Sequence, residues 1–239
     1  IAHFHQTLIG GVVLALVAGL YYWWPKMFGF ILDERLGKWA FWFFNIGFYV
    51  CFMPMYALGF MGMTRRVYTY PAETGWTGLN FVSTIGAYLM GIGFLLIVAQ
   101  VLYSIKYGKR DVTGDPWDGR TLEWALPSPV PHYNFARIPE VTELDAWWHM
   151  KQNGKTLADE YKKAPLEPIE MPKNTGRPFI MGVFFFIAGF GFVFNWFWMG
   201  AIGLLGVVIT LIARSQERDT EYEVPVDEIR RTESALGRL

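Results

Sequence analysis

Charged residues vanish from four stretches of the chain, residues 1–25, 39–63, 79–105 and 178–213, which apolar side chains fill almost without interruption. A helix needs about 20 apolar residues to cross roughly 30 Å of hydrocarbon, and one Arg, Lys or Asp at its centre would cost about 3 kcal/mol on insertion scales. The first three stretches therefore predict one membrane helix each. The fourth would measure roughly 54 Å as a single helix at about 1.5 Å per residue, too long for one crossing. A tight hairpin near Asn195 to Gly200 would divide it into two short spans, with Trp196 and Trp198 at the interface, where indole N–H groups meet water. The pattern predicts an all-α integral membrane protein, a bundle of about five transmembrane helices.

The remaining segments are polar. Residues 107–177 are proline-rich and carry much of the charge, and residues 215–239 mix both signs. Four parts follow: residues 1–106 as three helices of a membrane core, 107–177 as a cytoplasmic connecting segment, 178–214 as a transmembrane helical hairpin, and 215–239 as a cytoplasmic tail that docks on the inner face or stays mobile. Lys26, Arg35 and Lys38 follow the first stretch, Lys106, Lys109 and Arg110 the third, and Arg214 and Arg218 the fourth. Because cytoplasmic loops carry the excess of Lys and Arg, all three clusters are placed inside. The chain opens on Ile rather than Met and on a helix whose outer end is unfinished. It is therefore expected to be incomplete, and its start to be a true span rather than a signal peptide.

Composition narrows the chemistry. The 21 Lys and Arg balance 21 Asp and Glu, and no basic cluster interleaves with aromatics, so nucleic acid is not an expected partner. Cys51 is the single cysteine, so a disulfide within the chain and a thiolate zinc site are excluded, and packing is its expected role. His132 and His149 have no metal-ligand partner at a convincing spacing. Asp115, Asp118, Arg120 and Glu123 form a charged group in the connecting segment whose expected role is surface stabilisation.

His3 and His5 stand in the first span, separated only by Phe4. Ionisable residues in membrane helices are rare and usually line a functional interior. Two residues apart on a helix is roughly 200° of rotation, so the imidazoles leave opposite faces and cannot easily share one metal. Opposite faces suit two planar cofactors on either side of one helix, each taking one imidazole as an axial iron ligand. The alternative is a pair of helix-end histidines bonded to carbonyls or water. Gly10, Gly11, Ala15, Ala18 and Gly19 follow, small enough for close approach of a flat macrocycle or simply of another helix. Arg65 and Arg66 sit at the outward end of the second span, against the charge rule, and call for a local anion such as a haem propionate. Snorkelling into lipid head groups is the alternative there.

These residues carry a family resemblance. His3-Phe4-His5, then Leu8-Ile9-Gly10-Gly11 and Tyr22-Trp23-Trp24-Pro25-Lys26, resembles the tenth helix of haem–copper oxidase subunit I. The match continues in order through Leu58-Gly59-Phe60-Met61-Gly62-Met63-Thr64-Arg65-Arg66, Gly114-Asp115-Pro116-Trp117, Gly119-Arg120-Thr121-Leu122-Glu123-Trp124 and Tyr133-Asn134-Phe135. The resemblance implies that His3 is the proximal ligand of a high-spin haem where oxygen is reduced, and that His5 is one of two axial ligands of a low-spin haem. It also implies that Arg65 and Arg66 contact haem propionates. Two haems of b, o or a type are implied, with copper B, whose ligands fall outside this chain.

Thr64 before the arginine pair, Pro54-Met55-Tyr56-Ala57-Leu58-Gly59, Met171-Pro172-Lys173-Asn174, the hairpin and Tyr222-Glu223-Val224-Pro225-Val226 look like the cytochrome bo-type quinol oxidases. The implied activity is quinol oxidation coupled to reduction of O2 to water, with electrogenic proton uptake and proton pumping, in a bacterial cytoplasmic (inner) membrane. The implied partners are the N-terminal part of subunit I, subunits II, III and IV, quinol, O2 and membrane lipid. Cytochrome c oxidase subunit I and a non-oxidase membrane cytochrome remain as alternatives.

Overall fold

Three long apolar helices follow the first three uncharged stretches in the computed structural model, which describes residues 1–238. They are α1 (Ala2–Phe28), α2 (Glu34–Phe60) and α3 (Thr77–Tyr107). The chain divides into two units, one of Ile1–Asn134 with Val141–Thr156, the other of Phe135–Glu140 with the residues from Leu157 onward. All three long helices belong to the first unit.

α1 does not keep one helical form. Ala2–His5 is α-helical, Gln6–Val13 is π-helical, and Leu14–Phe28 returns to the α form. The helix runs on past Pro25, where the sequence suggested its end, and stops where Gly29 takes a left-handed φ of 73° and its N–H returns to the Pro25 carbonyl at 2.7 Å. Such a turn favours glycine, which has no Cβ to clash. Asp33 then caps α2, its side chain accepting from the Leu36 N–H at 2.8 Å.

α2 and α3 are held together by backbone approach. A Cβ placed on Gly86 would lie 2.2 Å from the Cys51 nitrogen, one on Gly47 2.5 Å from the Met90 nitrogen, and one on Gly93 2.7 Å from the Phe44 nitrogen. In hydrocarbon, where lipid tails are as apolar as Leu, such close van der Waals packing is a main source of helix association. Cys51 is buried in this contact, beside Phe48 and Phe52. Polar contacts tie the start of α2 to the last turns of α3. Gln100, 1% exposed, accepts from the Tyr21 hydroxyl and donates to the Asp33 carbonyl at 2.7 Å, while the Asp33 N–H donates to Ser104 Oγ at 2.9 Å.

The connecting segment docks on the C-terminal end of α1. Lys26 is buried and donates to the carbonyls of Gly114, at 2.5 Å, and Leu126, with its ammonium 5.1 Å from the centre of the Trp124 ring. Trp117 Nε1 donates to the Tyr22 carbonyl and Trp124 Nε1 to the Tyr22 hydroxyl, each at 2.9 Å. A short helix, α4 (Ala146–Gln152), is clamped to the same segment by Lys151. The Lys151 ammonium reaches Asp115 at 3.0 Å, Asp118 at 2.5 Å and the Gly119 carbonyl at 2.8 Å, against the rings of Trp147 and Trp148. Burial alone would raise the Asp115 carboxyl, but hydrogen bonds from the Gly119 N–H, Trp147 and Lys151 outweigh it and hold the group below the usual carboxylate range. Desolvation likewise opposes the charge on Lys151, and its two carboxylate partners more than offset this and push it up. The charged group expected at the surface is thus dispersed: Arg120 pairs with Asp145 at 2.8 Å, and Glu123 accepts from Trp23 Nε1 at 3.4 Å.

The second unit begins with α5 (Leu157–Tyr161) and is built on a helical hairpin, α6 (Arg177–Val193) and α7 (Phe197–Ser215). Its turn falls at Phe194–Trp196, with Asn195 at φ 59°, and α7 is already helical at Phe197, earlier than the Asn195 to Gly200 loop that the sequence suggested. Gly191 faces Gly200, and Gly203 faces Ala188, again at backbone contact. Among the described residues, α1, α2, α3 and α7 are long and apolar enough to cross a membrane; α6 is apolar but has 17 residues, the short limit for a span. Strands β1 (Ile169–Pro172) and β2 (Glu221–Val224) flank the hairpin and pair antiparallel, Ile169 opposite Val224 and Pro172 opposite Glu221. A last helix, α8 (Val226–Ala235), buries Ile229, so the tail has regular structure as far as Ala235.

Candidate metal centre

The two histidines of α1 stand in different surroundings. His5 faces α2. Its imidazole lies on the Phe52 ring, centroids 4.8 Å apart and planes only 10° apart, with the Phe4 ring edge-on at 5.2 Å. Nδ1 of His5 is 2.9 Å from the Ile1 carbonyl oxygen. A carbonyl can only accept, so Nδ1 carries a proton, and in the neutral ring Nε2 keeps its lone pair and is the nitrogen open to a metal. His3 is exposed, and among the described residues its imidazole has no hydrogen-bond partner; its carbonyl accepts from Thr7 Oγ1 at 2.7 Å.

The histidines end the short α-helical segment, and the π-helical turns begin at the next residue. The face of α1 away from α2 is open: Phe4 is 60% and Val12 58% exposed, and a Cβ on Gly11 would meet nothing within 4 Å. On the α2 side, Gly10 lies over Phe48, where a Cβ would approach the ring to 3.3 Å. A donor set of two imidazoles, one held by a carbonyl, beside a flank left open at Gly11 fits planar groups that each take one nitrogen. Among the described residues, no third His, Cys, Asp or Glu joins either histidine in a metal-binding group.

Arg65 and Arg66 lie beyond the C-terminal end of α2. Gly62, at φ 89°, ends the helix: its N–H returns to the Gly59 carbonyl at 3.1 Å, and the Met63 N–H to the Leu58 carbonyl at 2.9 Å. The chain then turns again at Arg66, φ 67°. Both arginines are exposed, and among the described residues neither has an acidic partner. Among the described residues, no contact joins them to the histidines. Three features of the site had no part in the sequence reading: the π-helical turns, the carbonyl that fixes the tautomer, and the Phe52 platform. Only the last had a signal, since Phe44, Phe48 and Phe52 recur every four residues, the spacing of one helix face.

A cavity of about 660 Å³ opens further inward between the three long helices, lined by Leu14, Ala18, Tyr21, Phe41, Phe44 and Ile97. It begins past the π-helical turns and does not include the histidines.

The family model described as Cytochrome C and Quinol oxidase polypeptide I matches residues 1–89, the part that holds all four candidate residues. The chain is 52% identical to quinol oxidase subunit 1 of Bacillus subtilis (strain 168). It is 48% identical to a probable quinol oxidase subunit 1 of Staphylococcus epidermidis, and 46% to that of Staphylococcus aureus. Each match covers 99% of this chain and 36% of the relative, so the chain spans about a third of the length of the curated relatives it matches.

Proposed function

The chain belongs to the cytochrome c and quinol oxidase polypeptide I family, and on that premise we propose that it is the C-terminal part of the catalytic subunit of a terminal quinol oxidase. That enzyme oxidises quinol, reduces O2 to water and pumps protons across a bacterial cytoplasmic membrane. The observation that carries the reading is the imidazole pair at one end of α1, in which His5 has its Nε2 freed by the Ile1 carbonyl and His3 stands on the open side. In this reading His5 would hold the iron of the low-spin haem and His3 that of the high-spin haem.

When bound, the haems supply one-electron transfer and, with a copper held by residues outside this chain, the place where O2 is reduced. The chain's own residues do the positioning. The Ile1 carbonyl holds the Nδ1 proton of His5 and so keeps Nε2 available. Phe48, Phe52, Ile9 and Met55 exclude water from the α2 side of His5 and lower the local dielectric. Arg65 and Arg66 would pair with the carboxylates of a bound haem and, by their positive charge, favour added electrons. Quinol is favoured over cytochrome c as donor by the names of the relatives and by the residues at 54–59, 171–174 and 222–226. Subunits II, III and IV and the rest of subunit I complete the assembly.

The test is a reduced-minus-oxidised spectrum of the purified oxidase, with and without carbon monoxide, for the native enzyme and for His3→Ala and His5→Ala. His5→Ala should remove the low-spin band. His3→Ala should abolish O2 reduction and the change that carbon monoxide produces. Normal spectra and turnover in both variants would overturn the assignment, and turnover with cytochrome c but not quinol would overturn the donor.

A further inference from the structure

We infer that Phe52 is a positioning residue for the metal-ligating imidazole of His5, fixing the plane of that ring about the axis of its Nε2 lone pair. The inference rests on the haem reading above and adds a residue to it. The hydrogen bond from Nδ1 to the Ile1 carbonyl sets which nitrogen is free, but one contact near the ring edge leaves rotation about the line through it. A second constraint comes from the face. The Phe52 ring lies within 10° of parallel to the imidazole at 4.8 Å between centroids, so any rotation out of that plane drives the imidazole edge into the phenyl carbons.

The platform is itself buried. Phe52 is only 6% exposed and is packed with Phe48, Cys51, Met55 and Met90, at the level where α2 and α3 touch through Gly86 and Cys51. Phe48 meets the Phe52 ring in an edge contact, centroids 5.5 Å apart, and so packs against the side of the platform. The Phe4 ring stands nearly perpendicular to the imidazole, at 82°, with the centroids 5.2 Å apart. The His5 ring is thus set by the rigid pair of α2 and α3, not by α1 alone, whose turns after His5 are π-helical. Supporting groups of this kind orient a ligand and tune its metal.

The orientation of an axial imidazole plane governs the g-anisotropy of a low-spin ferric haem, so it can be read directly by electron paramagnetic resonance on the purified oxidase. Phe52→Leu should shift the largest g value of the low-spin haem and its midpoint potential, while the haem stays bound. Phe52→Tyr, which keeps the ring, should return both to the native values. Phe44→Leu, an equal packing loss on the same helix away from His5, should leave both unchanged. An unshifted signal in Phe52→Leu, or an equal shift in Phe44→Leu, overturns the inference. A low-spin signal that survives in His5→Ala overturns the haem reading itself, which separates the two failures.

Discussion

At the scale of single residues, charge and tautomer decide what the chain can hold. Arg65 and Arg66 are two adjacent guanidinium groups with no carboxylate among the described residues, at the end of an apolar helix where unneutralised charge is costly. An anion that supplies the missing carboxylates would be stabilised by both. Removing one charge at roughly 8 Å in a medium of effective dielectric about 20 is worth about 2 kcal/mol, a shift on the order of 50–100 mV. Arg65→Gln and Arg66→Gln are therefore each expected to lower the potential of a nearby haem by that order, measured by redox titration of the absorbance bands. Potentials unchanged in both variants would leave the arginines as interfacial anchors only. The sequence showed these residues because charge breaks the apolar pattern. It could not show the Ile1 carbonyl or the Phe52 ring at His5, because one is backbone and the other comes from a helix whose rotation is set by tertiary packing.

At the scale of elements, small residues and one lysine hold the parts in register. Hydropathy locates α1, α2 and α3 without reference to their neighbours, which is why the spans were legible. Which glycines meet a backbone was not, since Gly86 and Gly182 look alike in sequence, yet a Cβ on Gly86 would strike Cys51 and one on Gly182 would meet nothing within 4 Å. Gly86→Leu is expected to part α2 from α3 and cost at least about 3 kcal/mol. Gly182→Ala is expected to be neutral or to stabilise by up to about 1 kcal/mol. Thermal unfolding in detergent, or loss of haem on heating, distinguishes them, and equal behaviour would refute the packing account. The Lys151 clamp makes a second prediction. Asp115 is held low, so its contribution is present above the unfolded value of about 4 and is lost as pH falls through the depressed value. Lys151 is held high, so its contribution is present below about 10.4 and lost as pH rises through the raised value. The clamp should therefore be constant from about pH 4 to 10. Lys151→Met leaves Asp115, only 11% exposed at its side chain, without its cation and should cost about 1–3 kcal/mol. Hydrogen exchange at residues 115–120 and 146–152 should then speed up by roughly 10–100-fold, at every pH in that window. Unchanged protection would mean that the Trp147 and Trp148 packing suffices alone.

At the scale of the whole molecule, the question is which side of the membrane each polar segment occupies. The β1–β2 pairing answers half of it. β1 leads into α6 and β2 follows α7, and because the two strands are hydrogen-bonded to each other, the hairpin must begin and end on one face. Arg177 at the start of α6 and Arg214 at the end of α7 both bind Glu217, which closes the same end of the hairpin. The hydrogen bonds of the two arginines hold the Glu217 carboxyl below its usual range, so it stays charged there. By the excess of Lys and Arg in cytoplasmic loops, that end of the hairpin is expected on the cytoplasmic side, which cysteine labelling tests. The turn at Asn195 must then lie at the outer face, provided that α6 crosses. Its 17 residues make roughly 26 Å of helix at about 1.5 Å per residue, just enough for a thin or locally thinned bilayer. With Cys51 replaced by Ala, single cysteines at Asn195, Gln216 and Thr74 can be probed in right-side-out vesicles with a membrane-impermeant maleimide. Labelling is expected at Asn195→Cys and Thr74→Cys and not at Gln216→Cys, with the reverse in inverted vesicles. If Asn195→Cys is labelled only in inverted vesicles, or in neither, α6 and α7 form a re-entrant hairpin that does not reach the outer face. The chain would then cross the membrane three times.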